Sequence, residues 1–241
     1  MLINGMPEPI KGVIFDFHGT LVTGGDAGRW IDAAFRHLAV NGGPTPDLSA
    51  DQLTGLRDHL DRIWQHAHTI DPGSERDLSH DRHREVFRET VALRPEVTPD
   101  LIAALYAVMP DQWAPFDDTL PVLRELKSRG VRIVVLSNIG IDIRPHLDRA
   151  GLGALLDGVI LSFEVGLVKP DPAIFAQALE SLGVAGGQTL MVGDSPRDDV
   201  GGASLQIRTL ILPRTEGPVH GLGMVVQMIG DDVGDPRSSS H

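Results

Sequence analysis

Residues 12–22 read GVIFDFHGTLV, and the fold turns on how that stretch is parsed. Val13–Phe15 is continuously apolar, the signature of a strand buried on both faces. The chain then turns polar at Asp16, with His18, Gly19 and Thr20 close behind. A strand covered on both sides belongs inside a parallel sheet. In such sheets ligands gather beyond the carboxyl ends of the strands, which is where Asp16 stands.

Outward from this strand, two textures follow. Residues 26–111 contain no convincing strand and four helical patterns. The first carries Ile31, Phe35 and Leu38 at helical spacing. The second opens with a capping-box signature, Ser49 and Gln52, and places Leu53, Leu56, Leu60, Ile63 and Ala67 on one face. The third lies near 80–94, with Val86, Phe87 and Val91. The fourth begins at Thr98–Pro99 and carries Leu101, Ile102, Leu105 and Met109. The linkers NGGPTPD and DPGS separate them. From residue 116 helices and strands alternate: TLPVLRELKSRG, VRIVVLSN, IRPHLDRAGL, GVILS, PDPAIFAQALESLG, TLMVGD, a short helix around DDVGGASLQ, RTLIL and a last helix in GPVHGLGMVVQMIG. Alternation of this kind implies a parallel sheet with helices on both faces. The helical block is then an insertion just after the first strand. The expected organisation is an α/β core over 10–22 and 112–230, an all-helical cap over 23–111 and a flexible polar tail over 231–241.

Composition narrows the function. The 241 residues carry a formal charge of −12, which repels nucleic acid at long range. There is no cysteine, so disulfides, zinc–thiolate sites and thiol nucleophiles are excluded. No apolar run approaches membrane-spanning length, and the N-terminus lacks a signal-peptide pattern, so a cytoplasmic location is expected. Neither feature speaks to oligomeric state. Lysine occurs only at positions 11, 127 and 169.

The strand ends collect chemistry on one rim. The first offers Asp16, VRIVVLS offers Ser137 and Asn138, and TLMVG offers Asp194 and Ser195, with Asp198 and Asp199 one helical turn on. The loop after GVILS leads to Lys169. Neighbouring carboxylates repel unless a cation neutralises them, and Mg²⁺ suits oxygen ligands such as Asp16 and Asp194. Ser137, Asn138 and Lys169 suit phosphate oxygens. An Asp beside Mg²⁺ and a lysine can attack phosphorus and form an aspartyl-phosphate.

Four segments, FDFHGTLV, VVLSN, VGLVKPDP and VGDSPRDDVGGA, occur in this order. Together they resemble the haloacid dehalogenase-like (HAD) hydrolase superfamily, in its phosphatase-type branch with a helical (C1) cap after the first strand. The resemblance is close over 10–22 and about 112–212. It implies a Rossmann-like parallel-sheet core closed by the cap, and Mg²⁺-dependent hydrolysis of a small phosphorylated metabolite. Asp16 would be nucleophile and metal ligand, the backbone carbonyl of His18 a second ligand and Asp194 a third. Thr20 would order the loop, and Ser137 and Lys169 would bind the phosphoryl group. Of Asp198 and Asp199, the register GDSxxxDxxGA favours Asp199 as the further acid that supports the metal waters or orients Lys169.

The sequence departs from the superfamily at residue 18, where most of its phosphatases have a second Asp that moves protons. Three readings follow. His18 takes over as acid and base. Alternatively the protein is a 2-haloacid dehalogenase, whose relatives also lack a carboxylate there, although they typically lack the acid that Asp194 supplies. Or the protein is a slow or non-catalytic phosphometabolite-binding member. Phosphonate cleavage needs a cap lysine, and none lies between residues 12 and 126. The cap histidines His37, His59, His66, His68, His80 and His83 fit no zinc spacing, and most read as solvated helix faces. Arg29 and Arg36 are candidate substrate contacts, while Trp64 and Trp113 read as packing residues.

Overall fold

The computed structural model describes residues 8–44 and 46–230, so the tail expected over 231–241 lies outside the described residues. Its centre is a five-stranded parallel sheet. In chain order the strands are β1 (Gly12–Phe15), β4 (Arg132–Ser137), β5 (Gly158–Leu161), β6 (Thr189–Gly193) and β7 (Arg208–Ile211), arranged β5-β4-β1-β6-β7. β1 is central, with Ile14 opposite Val134 on one side and Met191 on the other. Alternation along these strands divides the core. Ile14, Val134, Leu136 and Met191 pack on Ile174, Phe175, Ala178 and Leu182 of helix α9 (Pro172–Leu182). Val13, Phe15, Ile133, Val135, Leu190 and Val192 face Leu123 and Leu126 of α6 (Thr119–Ser128) and Val225 and Ile229 of α10 (Gly223–Ile229). Both faces of β1 are therefore sealed, as its continuous apolar run requires.

The inserted segment is helical: α1 (Ala27–Val40), α2 (Ala50–Leu60), α3 (Ile63–Ile70), α4 (His80–Val91) and α5 (Pro99–Val108). It leaves and rejoins the sheet through a short antiparallel ribbon, β2 (Val22–Thr23) against β3 (Ala114–Pro115), which sequence reading did not foresee. Predicted caps are in place. Gln52 N–H donates to Ser49 Oγ while Ser49 N–H donates to Gln52 Oε1, and Leu101 N–H donates to Thr98 Oγ. Trp30 Nε1–H donates to the carbonyl of Leu105 at 2.8 Å, fastening α1 to α5.

One helical expectation needs correction. The second pattern is two helices, broken at Asp61–Arg62, because Arg62 leaves helical geometry (φ −114°, ψ 17°). No Gly or Pro marks that break, so the stripe reads through it. A 3₁₀ turn, Glu75–Asp77, follows α3. The segment around DDVGGASLQ forms only a 3₁₀ turn, Gly201–Leu205. The remaining short helices are α7 (Arg144–Arg149) and α8 (Ser162–Val165). Among the described residues no helix is long and apolar enough to cross a membrane.

Candidate active site

The carboxyl ends of β1, β4 and β6 open onto one rim, and the expected residues meet there. Lys169 is buried, and its Nζ donates to Asp16 Oδ1 and to Asp199 Oδ1, each at 2.7 Å. These three residues come from distant parts of the chain, so only the sheet brings them together. Burial opposes the Lys169 ammonium, but two carboxylates at contact outweigh it and hold its pKa above the ordinary lysine range. Burial pushes the carboxyls of Asp16 and Asp199 upward against the pull of Lys169. One ammonium between two buried carboxylates leaves an excess negative charge.

That excess has a place for a cation. Asp16, Asp194 and Asp199 each present an oxygen within 4.8 Å of the others, all three buried. Hard oxygen donors of this kind fit a magnesium-sized ion. Asp199 is the least free of them. Besides Lys169, it accepts the backbone N–H of Ser195 at 2.9 Å. Asp16 Oδ2 receives a long contact, 3.5 Å, from the Thr20 hydroxyl. The rim is tightly shaped by glycine. Gly19 has φ +73°, and a Cβ there would stand 2.7 Å from Asp194 Oδ2. A Cβ at Gly193 would stand 2.0 Å from Asp199 Oδ2.

The two adjacent acids separate cleanly. Asp199 is on Lys169, whereas Asp198 accepts from Ser195 Oγ at 2.9 Å and stabilises the turn. Asn138, expected on phosphate, is committed elsewhere. It accepts from the Lys169 backbone N–H at 2.7 Å and donates to the Lys169 carbonyl at 2.9 Å. Its amide therefore positions the lysine loop, across a cis Lys169–Pro170 bond. Ser137 is buried at the end of β4 and makes no side-chain hydrogen bond among the described residues.

His18 is half-buried between rings, edge-on to Trp113 at 4.5 Å and to Phe17 at 4.8 Å. Burial, then His83, His146, Lys169 and Arg214, push its pKa down to about 3. The ring is consequently neutral at neutral pH. A neutral imidazole keeps one N–H donor and one acceptor nitrogen. Trp113 packs as anticipated, but Trp64 is exposed, with the Arg76 guanidinium 5.9 Å over its ring.

Two of the cap histidines, His59 and His83, are buried rather than on solvated faces, whereas His80 is exposed. His59 is buried and donates to the Thr90 carbonyl. His83 is buried beside Tyr106, 2.9 Å from its hydroxyl, and His80 donates to the Gly140 carbonyl at 3.0 Å. Arg29 and Arg36 are exposed and line a groove of about 580 Å³ with Asp32, His37 and Asp111. None of Asp16, Lys169 or Asp194 lines that groove. Sequence reading missed Arg214 altogether. Although 79% exposed, its Nε contacts Asp194 Oδ2 from the loop beyond β7. No motif marked it.

Comparison with known proteins bears on the family of the chain. Residues 10–205 match the haloacid dehalogenase-like hydrolase family. A glyceraldehyde 3-phosphate phosphatase from Methanothermobacter thermautotrophicus is 33% identical over 214 residues, covering 86% of this chain and 87% of its own. Among solved structures, a HAD phosphatase from Thermococcus onnurineus superposes with a TM-score of 0.60 at 24% identity, covering 92% of this chain and 98% of its own. The L-2-haloacid dehalogenase of Xanthobacter autotrophicus superposes with a TM-score of 0.58 at 22% identity, over 94% of this chain and 85% of its own. At these identities the structural likeness speaks to fold alone, and phosphatase and dehalogenase share it. Ordered motifs, sheet topology and sequence likeness lead to one conclusion: the chain belongs to the haloacid dehalogenase-like hydrolase family.

Proposed function

We propose that this protein hydrolyses a small phosphate monoester in a Mg²⁺-dependent reaction, through a phosphoryl group carried on Asp16. One observation carries the reading. The buried Lys169 ammonium sits on Asp16 while Asp194 and Asp199 crowd the same point, a negative cluster that calls for a divalent cation. Likeness to a glyceraldehyde 3-phosphate phosphatase along most of the chain supports a phosphorylated metabolite as substrate.

In this reading Asp16 attacks phosphorus through Oδ2, the oxygen that Lys169 leaves uncovered. Lys169 offsets the repulsion between carboxylate and phosphoryl group, and Asp199 holds Lys169 in place. Asp16, the carbonyl of His18 and Asp194 would hold Mg²⁺, with Asp199 in support through Lys169. The ion would supply charge neutralisation for the phosphoryl oxygens. Ser137 stands at the β4 end to receive one of those oxygens, and Thr20 steadies Asp16. The Arg214–Asp194 contact places a positive charge where the cation belongs and would give way to it. In the same reading residues 10–22 and 112–230 form the catalytic core. Residues 23–111 form a cap that excludes water and selects substrate.

The decisive experiment is phosphate release from an aryl phosphate and a panel of sugar and glycerol phosphates. Wild type should require Mg²⁺ and lose activity in EDTA. Asp16→Asn should abolish turnover, by at least ~10³-fold for a lost nucleophile. Halide release from 2-haloacids in EDTA, without phosphate release, would replace the reading with the dehalogenase. Binding of phosphorylated metabolites without turnover of either kind would replace it with the binding protein.

A further inference from the structure

Cleaving an alkyl phosphate leaves an alkoxide that needs a proton, and the rim around Asp16 is short of donors. Asp16 and Asp199 share Lys169, Asp194 contacts Arg214, and Asp198 holds the Ser195 hydroxyl. The His18 ring makes no side-chain hydrogen bond among the described residues and is walled by Trp113 and Phe17.

One further buried acid stands on a turn that is tied to this rim, and it comes from the inserted helices. Asp77 ends the 3₁₀ turn after α3 and is 8% exposed. Among the described residues its carboxyl accepts no hydrogen bond, and its ion partner is Arg76 Nη2 at 3.6 Å. The turn is pinned to the end of β4. The Asp77 carbonyl accepts from Ser162 Oγ at 2.5 Å, and the same Oγ accepts the Ile139 N–H at 2.8 Å. Ile139 follows Asn138, whose amide grips the Lys169 backbone. Gly140 lies so close that a Cβ would stand 2.2 Å from the Arg76 carbonyl oxygen.

The electrostatics agree with this placement. Burial raises the Asp77 carboxyl to about 7, Arg76 beside it pulls down, and Asp71 at the end of α3 pushes up. From the rim, Asp198 pushes up and Lys169 pulls down, so both rim charges are felt at Asp77.

We propose that Asp77 gives the proton to the departing oxygen and takes one back from the attacking water, an inference that rests on the phosphatase reading above. In the first step Asp16 Oδ2 bonds to phosphorus as the P–O(R) bond breaks, and the Asp77 proton goes to RO⁻ to give ROH. In the second, water attacks phosphorus, its proton goes to the Asp77 carboxylate, and the bond to Asp16 breaks, releasing phosphate. The cap thereby supplies the carboxyl that position 18 lacks.

The test compares p-nitrophenyl phosphate, whose phenolate leaves unaided, with glycerol 1-phosphate, whose alkoxide does not. kcat/KM reports the first step. Asp77→Asn should lower it at least ~50-fold for glycerol phosphate and less than ~5-fold for the aryl ester. The same variant should accumulate phosphorylated protein after an aryl burst, and Asp77→Glu should recover part of the loss. In wild type alone, the ratio of alkyl to aryl kcat/KM should fall as pH rises through about 7. Equal losses for both esters, a change in KM alone or a pH-independent ratio would overturn the role of Asp77. They would leave the phosphatase intact. A wild type inactive on both esters would overturn both.

Discussion

Lys169 illustrates how one side chain carries both stability and chemistry. Removing a partner from a buried charge cluster strands the others. Lys169→Met should therefore destabilise the fold by about 3–5 kcal/mol, besides removing activity. Adding Asp199→Asn should restore part of that loss, because one stranded carboxylate disappears. Urea unfolding of the two single variants and the double variant measures the coupling. Strictly additive losses would count against a shared ammonium. Gly19 is the second informative residue. Its φ of +73° and the 2.7 Å approach of Asp194 leave no room for a Cβ. Gly19→Ala should cost roughly 1–3 kcal/mol of strain. It should also shift the Mg²⁺ requirement upward at least ~10-fold by displacing Asp194. An unchanged Mg²⁺ titration would show that the rim can relax. Gly19 and Lys169 were both legible in the sequence, since each sits inside a recognisable segment. Their partners were less so. Nothing local distinguishes an Asn138 that grips a backbone from one that binds phosphate.

At the level of elements, one contact between cap turn and sheet runs through Ser162. Its hydroxyl joins the Asp77 carbonyl, from the cap, to the Ile139 N–H, from the β4 loop. Ser162→Ala leaves both groups unpaired, at a cost of about 1–3 kcal/mol. The variant should melt at lower temperature, expose the 74–79 segment to protease and raise KM. A variant with the melting temperature and KM of wild type would refute the latch. The same pairing explains why this turn escaped sequence reading. Ser162 and Asp77 lie 85 residues apart, so neither residue's neighbours announce the contact. Element boundaries were legible where caps mark them, as at Ser49 and Thr98. The break between α2 and α3 has no such mark.

Across the whole molecule, buried histidines make the fold acid-sensitive. Burial pushes the His83 pKa from 6.5 down to about 4, with Arg76 and His80 adding to it. The unfolded chain then binds a proton at higher pH than the folded chain does. Stability from His83 is present above about 6.5 and is lost as pH falls toward 4, amounting to roughly 3 kcal/mol. Asp77 works in the opposite sense. Its raised pKa means that its contribution is present below the usual Asp range and is lost as pH rises through about 7. Denaturation at pH 7 and pH 5 should therefore show a smaller acid loss in His83→Gln than in wild type. Equal losses in the two proteins would place the sensitivity elsewhere.

The parallel α/β core, the helical insertion and the rim residues Asp16, Lys169, Asp194 and Asp199 were legible in the sequence. These are local properties: periodicity, caps, and which residue follows each buried strand. Only the folded chain shares Lys169 between two carboxylates, brings Arg214 to Asp194 and sets His18 in an aromatic wall. It alone ties the Asp77 turn to the Ser162 hydroxyl. Those outcomes depend on burial and on charges brought together across the chain. A carboxylate's neighbours in space, rather than in sequence, set whether it holds a proton.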